Sequence, residues 1–392
     1  MRKKVLFVTQ RMIMGGIEKA LIAMLNSMQL KDYDVTVKLM SEEGELYEEI
    51  PEFVHVENIF GARETALEKM WKYTKKGDII TAVKTGFYTK LIQHTVSNYK
   101  QNRYYSRMVP RDETVYDIAI AYHSPVTFPD VYVMNNIKAK QKAVWIHCDV
   151  SYFEEALRKQ GERFYSRFDC IFCVSKYAMT KFIDIFPNLK DKTFPFYNVI
   201  ERDKLETLSK AEESYSDRFK GIRILTVGRL SVEKGQDMIP EILSKLLLKG
   251  YHVRWYLIGE GILREKIETM IKEYQLENNL LLLGTVKNPY PYIKDCDIYI
   301  QPSRHESYAL TVAEARILRK PIITTNTGAA EQISQGETGL IVNFEKEEIY
   351  HAILRLLNDK RLREKFSSNL SQQVVDTTKE MERLYKMVEN AP

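Results

Sequence analysis

The sequence predicts an α/β protein of two doubly wound domains, and three observations carry that expectation. Its 392 residues, at roughly 150 per domain, allow two or three independent cores. Short unbroken apolar runs alternate with stretches of helical spacing, as they do where parallel strands are buried on both faces between crossover helices. The alternation occurs twice, and the two series are separated by a polar stretch, 201–221, rich in Lys, Glu and Ser, which reads as the interdomain connection.

The first series opens with Val5-Leu6-Phe7-Val8-Thr9, a buried strand, followed by Gly15-Gly16 and by Ile17, Ala20, Leu21, Met24 and Leu25 at helical spacing. Asp34–Met40, Asp117–Tyr122, Ala143–Ile146 and Cys170–Val174 read as further strands of a domain over 1–200. The second series, a domain over 222–373, has strands at Arg223–Val227, Arg254–Ile258, Leu280–Leu283, Ile298–Gln301, Ile322–Thr324 and Gly339–Val342, and a helix near Gln236–Lys249. The helical tail within 374–392, strongest over Thr377–Val388, is expected to return to the first domain. Rossmann-like sheets bind ligands beyond the carboxyl ends of their strands, so the expected site is a cleft faced by both domains.

Apolar residues at 44% and charged residues at 28% exclude a disordered chain and a bundle of membrane spans. A net charge of +5 is too small for a protein that coats duplex nucleic acid. That excess lies in residues 1–200, which hold 29 basic and 24 acidic side chains, while the remainder balances at 29 of each. Four cysteines form neither a disulfide framework nor a zinc site, and Cys170 and Cys173 sit in an apolar run that reads as strand packing. No metal and no cofactor is expected. The apolar stretch Val5–Val8 is too short for a signal-peptide core, and no run approaches the roughly 18 apolar residues of a spanning helix. A cytoplasmic location is expected.

The chemistry is expected where strands hand over to loops. Gly15-Gly16 lies between the first strand and its helix, where free backbone N–H groups and the helix dipole favour an anion and glycine allows close approach. The full Gly-x-Gly-x-x-Gly fingerprint is absent there, which argues against a nicotinamide enzyme. The second domain opens with Gly228-Arg229-x4-Lys234, two cations on one loop that suit a diphosphate without a metal ion. Glu306 follows the strand Ile298–Gln301, and Glu314 lies further along in a helix expected to start near Tyr308. Ser307, Tyr308, Ala309 and Leu310 would then form a helix start suited to phosphate. Carboxylates beside a phosphate site make sense as acceptors of hydroxyl hydrogen bonds, which points to a ribose and a hexose.

With these residues in view, the chain resembles the retaining, two-Rossmann (GT-B) glycosyltransferases of family 4, which include many bacterial capsule and exopolysaccharide enzymes. The resemblance rests on Gly15-Gly16, Gly228-Arg229-x4-Lys234 and Glu306-x7-Glu314, and spans essentially the whole chain. It implies that Glu306 binds the hydroxyls of the donor sugar, Glu314 the nucleotide ribose, and Arg229 and Lys234 the donor diphosphate. His147, at a strand end in Trp145-Ile146-His147-Cys148-Asp149, matches the family's first-domain histidine. Gly259 and Gly284 stand where the family contacts the nucleotide. The chain departs from the family at Ala309 and at Gly328-Ala329, where glycine is common. The implied donor is a nucleotide-sugar, UDP-linked by frequency, and the implied reaction is front-side displacement with retention. Asp149 is the acid nearest a role in double displacement. A non-catalytic glycan-binding or partner subunit, or another two-Rossmann sugar-nucleotide enzyme such as an epimerase, shares the same features.

From Lys84 to Arg111 the chain carries Lys84, Lys90, Lys100, Arg103, Arg107 and Arg111 with no acid, interleaved with Phe87, Tyr88, Tyr99, Tyr104 and Tyr105. This stripe fits peripheral contact with an anionic membrane surface. A solvated helix face and single-stranded nucleic acid are the competing readings, the last disfavoured. With the resemblance, the membrane reading implies a saccharide acceptor linked to a lipid diphosphate.

Overall fold

The structure, a computed structural model, describes residues 2–29, 31–60, 66–75, 77–210, 214–373 and 375–389. It divides into two compact units, Met1–Ile200 with Thr377–Pro392, and Glu201–Asp376.

The first unit is built on seven strands: β1 (Lys3–Thr9), β2 (Tyr33–Leu39), β3 (His55–Asn58), β4 (Val115–Ser124), β5 (Lys138–Ile146), β6 (Cys170–Cys173) and β7 (Thr193–Pro195). They form one parallel sheet in the order β3-β2-β1-β4-β5-β6-β7. β1 is central, with Val5 opposite both Val35 and Ile118. Val5, Leu6, Phe7 and Val8 have no exposed surface, as a strand covered on both faces requires. Helix Gly16–Asn26 follows β1 and buries Ala20, Leu21, Met24 and Leu25, the residues its spacing picked out.

The second unit repeats the plan with β8 (Ile222–Val227), β9 (Val253–Ile258), β10 (Leu280–Gly284), β11 (Ile298–Gln301), β12 (Ile322–Thr325) and β13 (Gly339–Val342). Their order is β10-β9-β8-β11-β12-β13, all parallel. Alternate residues feed separate cores: Ile224, Trp255 and Leu257 pack on one face with Ile239, Leu243 and Ile353. Leu225, Tyr256 and Ile258 pack on the other with Val312 and Ala315. In both sheets the strand order reverses beside the first strand, so β1/β4 and β8/β11 are the switch points where loops diverge and leave room for a ligand.

Several expectations need correction. β3 and β7 were not expected. Both are short edge strands, β3 largely half-buried and β7 containing Pro195, so neither carries the apolar run of a central strand. β5 starts five residues before Ala143, because Lys138–Lys142 pairs with β4 while leaving charged side chains in water. The stretch 201–221 is not a bare connection but part of the second unit. Its helix Arg202–Leu208 is followed by Tyr215, which packs against Tyr256 and Tyr292 and donates to the Tyr292 carbonyl at 3.0 Å. In the tail, helix Met381–Glu389 lies in the first unit: Tyr385 stacks on Tyr33 with ring centres 5.0 Å apart and donates to the Ser27 carbonyl. Cys170 and Cys173 are free and buried, and burial pushes both thiols up, Cys170 to about 12. No helix among the described residues is long and apolar enough to cross a membrane.

Candidate active site

The chemistry of the second unit gathers on the loops that leave β8 and β11. After β8 come Gly228, Arg229 and the short 3-10 turn Val232–Lys234, and after β11 comes the segment 302–309. The two loops are tied together. Arg304 holds Asp237 with both guanidinium nitrogens, at 2.7 and 3.1 Å, and its backbone N–H donates to the Glu233 carbonyl at 2.7 Å. Gly235, at φ +72°, makes the close approach possible, since a Cβ there would stand 2.0 Å from the Pro302 carbonyl oxygen.

This latch brings Lys234 and Glu306 into contact, with Nζ 2.6 Å from Oε1. Glu306 is buried at 7% exposure, and two further donors reach the same oxygen, Ser303 Oγ at 2.9 Å and Gln301 Nε2 at 3.2 Å. Gln301 is itself oriented by Tyr299 OH and Thr311 Oγ1, which donate to its Oε1. Three donors on Oε1 fix the carboxylate's rotation and leave Oε2 as the acceptor it can offer to a hydroxyl. Arg229 is exposed and, among the described residues, has no ion pair. Lys234, expected as a diphosphate ligand, thus has Glu306 as its ion-pair partner, whereas Arg229, expected in the same role, has none among the described residues.

The helix after this loop runs Leu310–Ile317, two residues later than expected, so its first amides are those of Leu310 and Thr311. Tyr308 is buried, and its carbonyl accepts from Gln332 Nε2 rather than opening the helix. Ser307 is held from behind: Gly328 N–H donates to the Glu306 carbonyl, and a Cβ on Gly328 would meet the Ser307 oxygen at 2.2 Å. The loop's close neighbour is thus Gly328, while Ala329 faces the core. Glu314, in the second turn, is buried at 5% exposure, with Tyr290 OH donating to Oε1 at 3.3 Å. Gly228, Gly259 and Gly284 line up across the ends of β8, β9 and β10. Gly228 N–H donates to the Ile258 carbonyl and Gly259 N–H to the Gly284 carbonyl, giving a continuous edge of backbone. A Cβ on Gly259 would lie 2.1 Å from the Gly228 oxygen.

Ala309 caps the helix at φ +61°, in the left-handed region that disfavours any side chain. Ala309→Gly is expected to stabilise the chain by about 0.5–1 kcal/mol, the relieved strain being partly offset by the looser unfolded chain. Urea unfolding measures this as a higher midpoint at unchanged slope, and a lower midpoint would contradict it.

In the first unit, Gly15 is the extended cap of helix Gly16–Asn26, and the place expected for an outside anion is filled from within. Glu18 is buried at 4% exposure, and a Cβ on Gly15 would lie 2.4 Å from its Oε2. A carboxylate there suits the helix dipole and leaves Gly15-Gly16 able to receive a hydroxyl rather than a phosphate. His147 follows β5, buried, with its ring 4.5 Å from that of Tyr122. Burial pushes its imidazole down to about 3, with His123 adding to the effect, so any role it has near neutral pH is that of a neutral hydrogen-bonding group. Asp149 is fully engaged by Ser151 N–H, Ser151 Oγ and Tyr177 OH at 2.6–3.0 Å, which does not suit a nucleophile.

His123 is likewise held down to about 4 by burial and by Arg11, while burial raises Asp130 to about 7 against hydrogen bonds from Ser124 and Thr127. Between about pH 4 and 6.5 the unfolded chain carries protons on both imidazoles that the fold excludes, and the fold carries one on Asp130 that the unfolded chain releases. The imidazoles make stability rise with pH and Asp130 makes it fall, so one group's slope remains. The first unit is expected to lose up to about 1.4 kcal/mol per pH unit as pH falls through this window. Denaturant unfolding across the window tests this: His123→Gln should flatten the slope, and an unaltered slope would contradict the assignment.

Sequence reasoning missed Gln301, Ser303, Asp237, Arg304 and Tyr290. The signal was present for two of them, since Gln301 and Ser303 stand at alternate positions as a strand runs into its loop, with Glu306 three residues on.

Residues 210–373, most of the second unit, match the family described as Glycosyl transferases group 1. An N-acetylgalactosamine-N,N'-diacetylbacillosaminyl-diphospho-undecaprenol 4-alpha-N-acetylgalactosaminyltransferase of Campylobacter jejuni is 26% identical over 52% of this chain and 55% of its own. The capsular polysaccharide biosynthesis glycosyltransferase CapM of Staphylococcus aureus is 30% identical over 41% and 43%. The chain thus spans about half the length of these curated relatives. The crystal structure of Anabaena HepE in complex with UDP and glucose superimposes with a TM-score of 0.71 over 99% of this chain and 100% of that one, at 18% identity. The fold is of the two-Rossmann GT-B type.

Proposed function

We propose that the chain is a glycosyltransferase that moves a hexose from a nucleotide-sugar to a saccharide acceptor in bacterial surface polysaccharide synthesis. The observation that carries this reading is Glu306, a buried carboxylate whose one oxygen is held by three donors beside cations at a sheet switch point. In the proposal Oε2 of Glu306 accepts from hydroxyls of the donor sugar, and Glu314 with Tyr290 holds the ribose. Arg229 takes the diphosphate as it leaves, with the amides of Leu310 and Thr311, and Lys234 shares its charge between Glu306 and the phosphate. These cations supply the charge stabilisation that a divalent ion would otherwise give, so the reaction is proposed to be metal-independent. UDP is the favoured nucleotide, supported by the UDP in the Anabaena complex. The Campylobacter relative's name supports an acceptor on a lipid diphosphate, and CapM supports a capsule-type polymer.

Retention by front-side displacement is part of the same proposal. Glu306 is held through Oε1 and is assigned to the sugar hydroxyls, so the proposal invokes no nucleophilic carboxylate, and the departing diphosphate helps to take the acceptor proton. His147, held neutral by burial, is not called on to carry a proton. Proton NMR of the product made from a UDP-hexose tests the reading. The expected product keeps the donor's anomeric configuration, and turnover is unchanged by a chelator. An inverted product would overturn retention, and no product from any sugar nucleotide would overturn transfer.

A further inference from the structure

The basic stripe that the sequence singled out does not spread evenly over a surface. Lys84, Arg103, Arg107 and Arg111, joined by Arg167, line a single cavity of about 870 Å³ in the first unit. Lys84 comes from helix Ile79–Gln93, Arg103 and Arg107 from successive turns of helix Asn98–Met108, and Arg111 from the loop that follows. One carboxylate shares the lining, Asp78, and it caps the first of these helices by accepting Thr81 N–H at 3.0 Å. Among the described residues none of the five cations is in an ion pair, whereas Lys38 in the same unit holds two carboxylates within 2.7 Å. Five like charges around one volume repel one another until an anion enters it. The volume lies within the range that small-ligand pockets occupy.

The same helix carries a second unexplained feature. Ile79, Ile80, Val83 and Phe87 are 60–70% exposed. At 100° per residue they fall within about a 100° arc, while Thr81 and Lys84 of that helix line the cavity. An apolar arc in water beside a basic cavity matches a ligand with a phosphate head and a hydrocarbon chain. A free phosphate would leave the arc unexplained, and a nucleic acid would call for exposed aromatic faces where three of the four residues are aliphatic.

We infer that this cavity and the adjoining arc form a binding site for a phosphate-bearing lipid, with the phosphate among Lys84, Arg103, Arg107, Arg111 and Arg167 and the chain along Ile79, Ile80, Val83 and Phe87. The site shares no residue with the loops of the second unit and does not depend on glycosyl transfer.

Co-sedimentation of the full chain with phosphatidylcholine vesicles, with and without phosphatidic acid, at low and high salt tests the inference without any sugar donor. Binding is expected only with phosphatidic acid and is expected to weaken with salt. The triple variant R103Q/R107Q/R111Q should bind about 100-fold more weakly, at roughly fivefold per cation near the surface. The variant V83S/F87S should also lose vesicle binding while still binding inorganic diphosphate, measured by calorimetry with UDP present in saturating amount so that the loops of the second unit are filled. All five side chains are exposed, and urea unfolding with the parental midpoints reports that each variant is folded. Absence of vesicle binding at low salt, or binding unaltered in the triple variant, would overturn the site. Inorganic diphosphate bound at full strength with V83S/F87S indifferent on vesicles would overturn the lipid and leave free phosphate as the ligand. Competition by a single-stranded oligonucleotide but not by phosphatidic acid would overturn it in favour of nucleic acid.

Discussion

Glu306→Ala is expected to lower turnover about 100-fold or more, equivalent to roughly 2.7 kcal/mol of lost transition-state stabilisation. The substitution removes the acceptor that Lys234, Ser303 and Gln301 jointly orient. It also leaves buried Ser303 and Gln301 donors without their partner, at about 1–3 kcal/mol of stability, which a folded domain of this size tolerates. Glu306→Gln separates the two effects. Its amide keeps one oxygen for the donors and the shape of the site, so the fold should be nearly as stable as the parent while turnover stays low. Steady-state kinetics on a UDP-hexose, with urea unfolding of each variant, reads both. Near-parental turnover with Glu306→Ala would remove Glu306 from the reaction.

Lys234→Ala is expected to have a comparable effect on turnover by a different route. It deletes the cation 2.6 Å from a carboxylate that is 93% shielded, so Glu306 loses its charged partner as the diphosphate loses one of its own. Because the two residues touch, their effects should not add: the double variant Lys234→Ala with Glu306→Ala should be well above the product of the two single losses. Arg229→Ala, which leaves Glu306 and its donors in place, should weaken nucleoside diphosphate binding more than it disturbs stability. Additive losses in the double variant would show that the ion pair is incidental to transfer.

The strands buried on both faces were the legible part of the fold. Residues 5–8, 298–300 and 322–325 are continuous apolar or β-branched runs, and their burial is complete or nearly so. β3 and β7 escaped because an edge strand is held by backbone hydrogen bonds and needs no apolar signature. The stretch 201–221 looked like a connection because its charges are local, whereas its anchors, Tyr215 and Phe219, are two aromatics scattered among polar residues. At the site, Arg229, Lys234 and Glu306 were visible as charges after strand ends, and Glu314 as an acid in the helix that follows. Their pairing was not, because it depends on the latch between Arg304 and Asp237 and on Gly235, three residues whose meaning appears only once the two loops lie side by side. The same limit applies to Glu18, which sequence spacing marks as an ordinary helix residue and the structure places over Gly15.

Release of nucleoside diphosphate by the full chain, measured with UDP-, GDP-, ADP- and dTDP-hexoses in the presence and absence of a saccharide acceptor, tests transfer at these loops most directly. The predicted result is acceptor-dependent release from one of the four, UDP first among them, in equal amount to hexose transferred and abolished by Glu306→Ala. Release from none of the four, or release that Glu306→Ala leaves untouched, would contradict it.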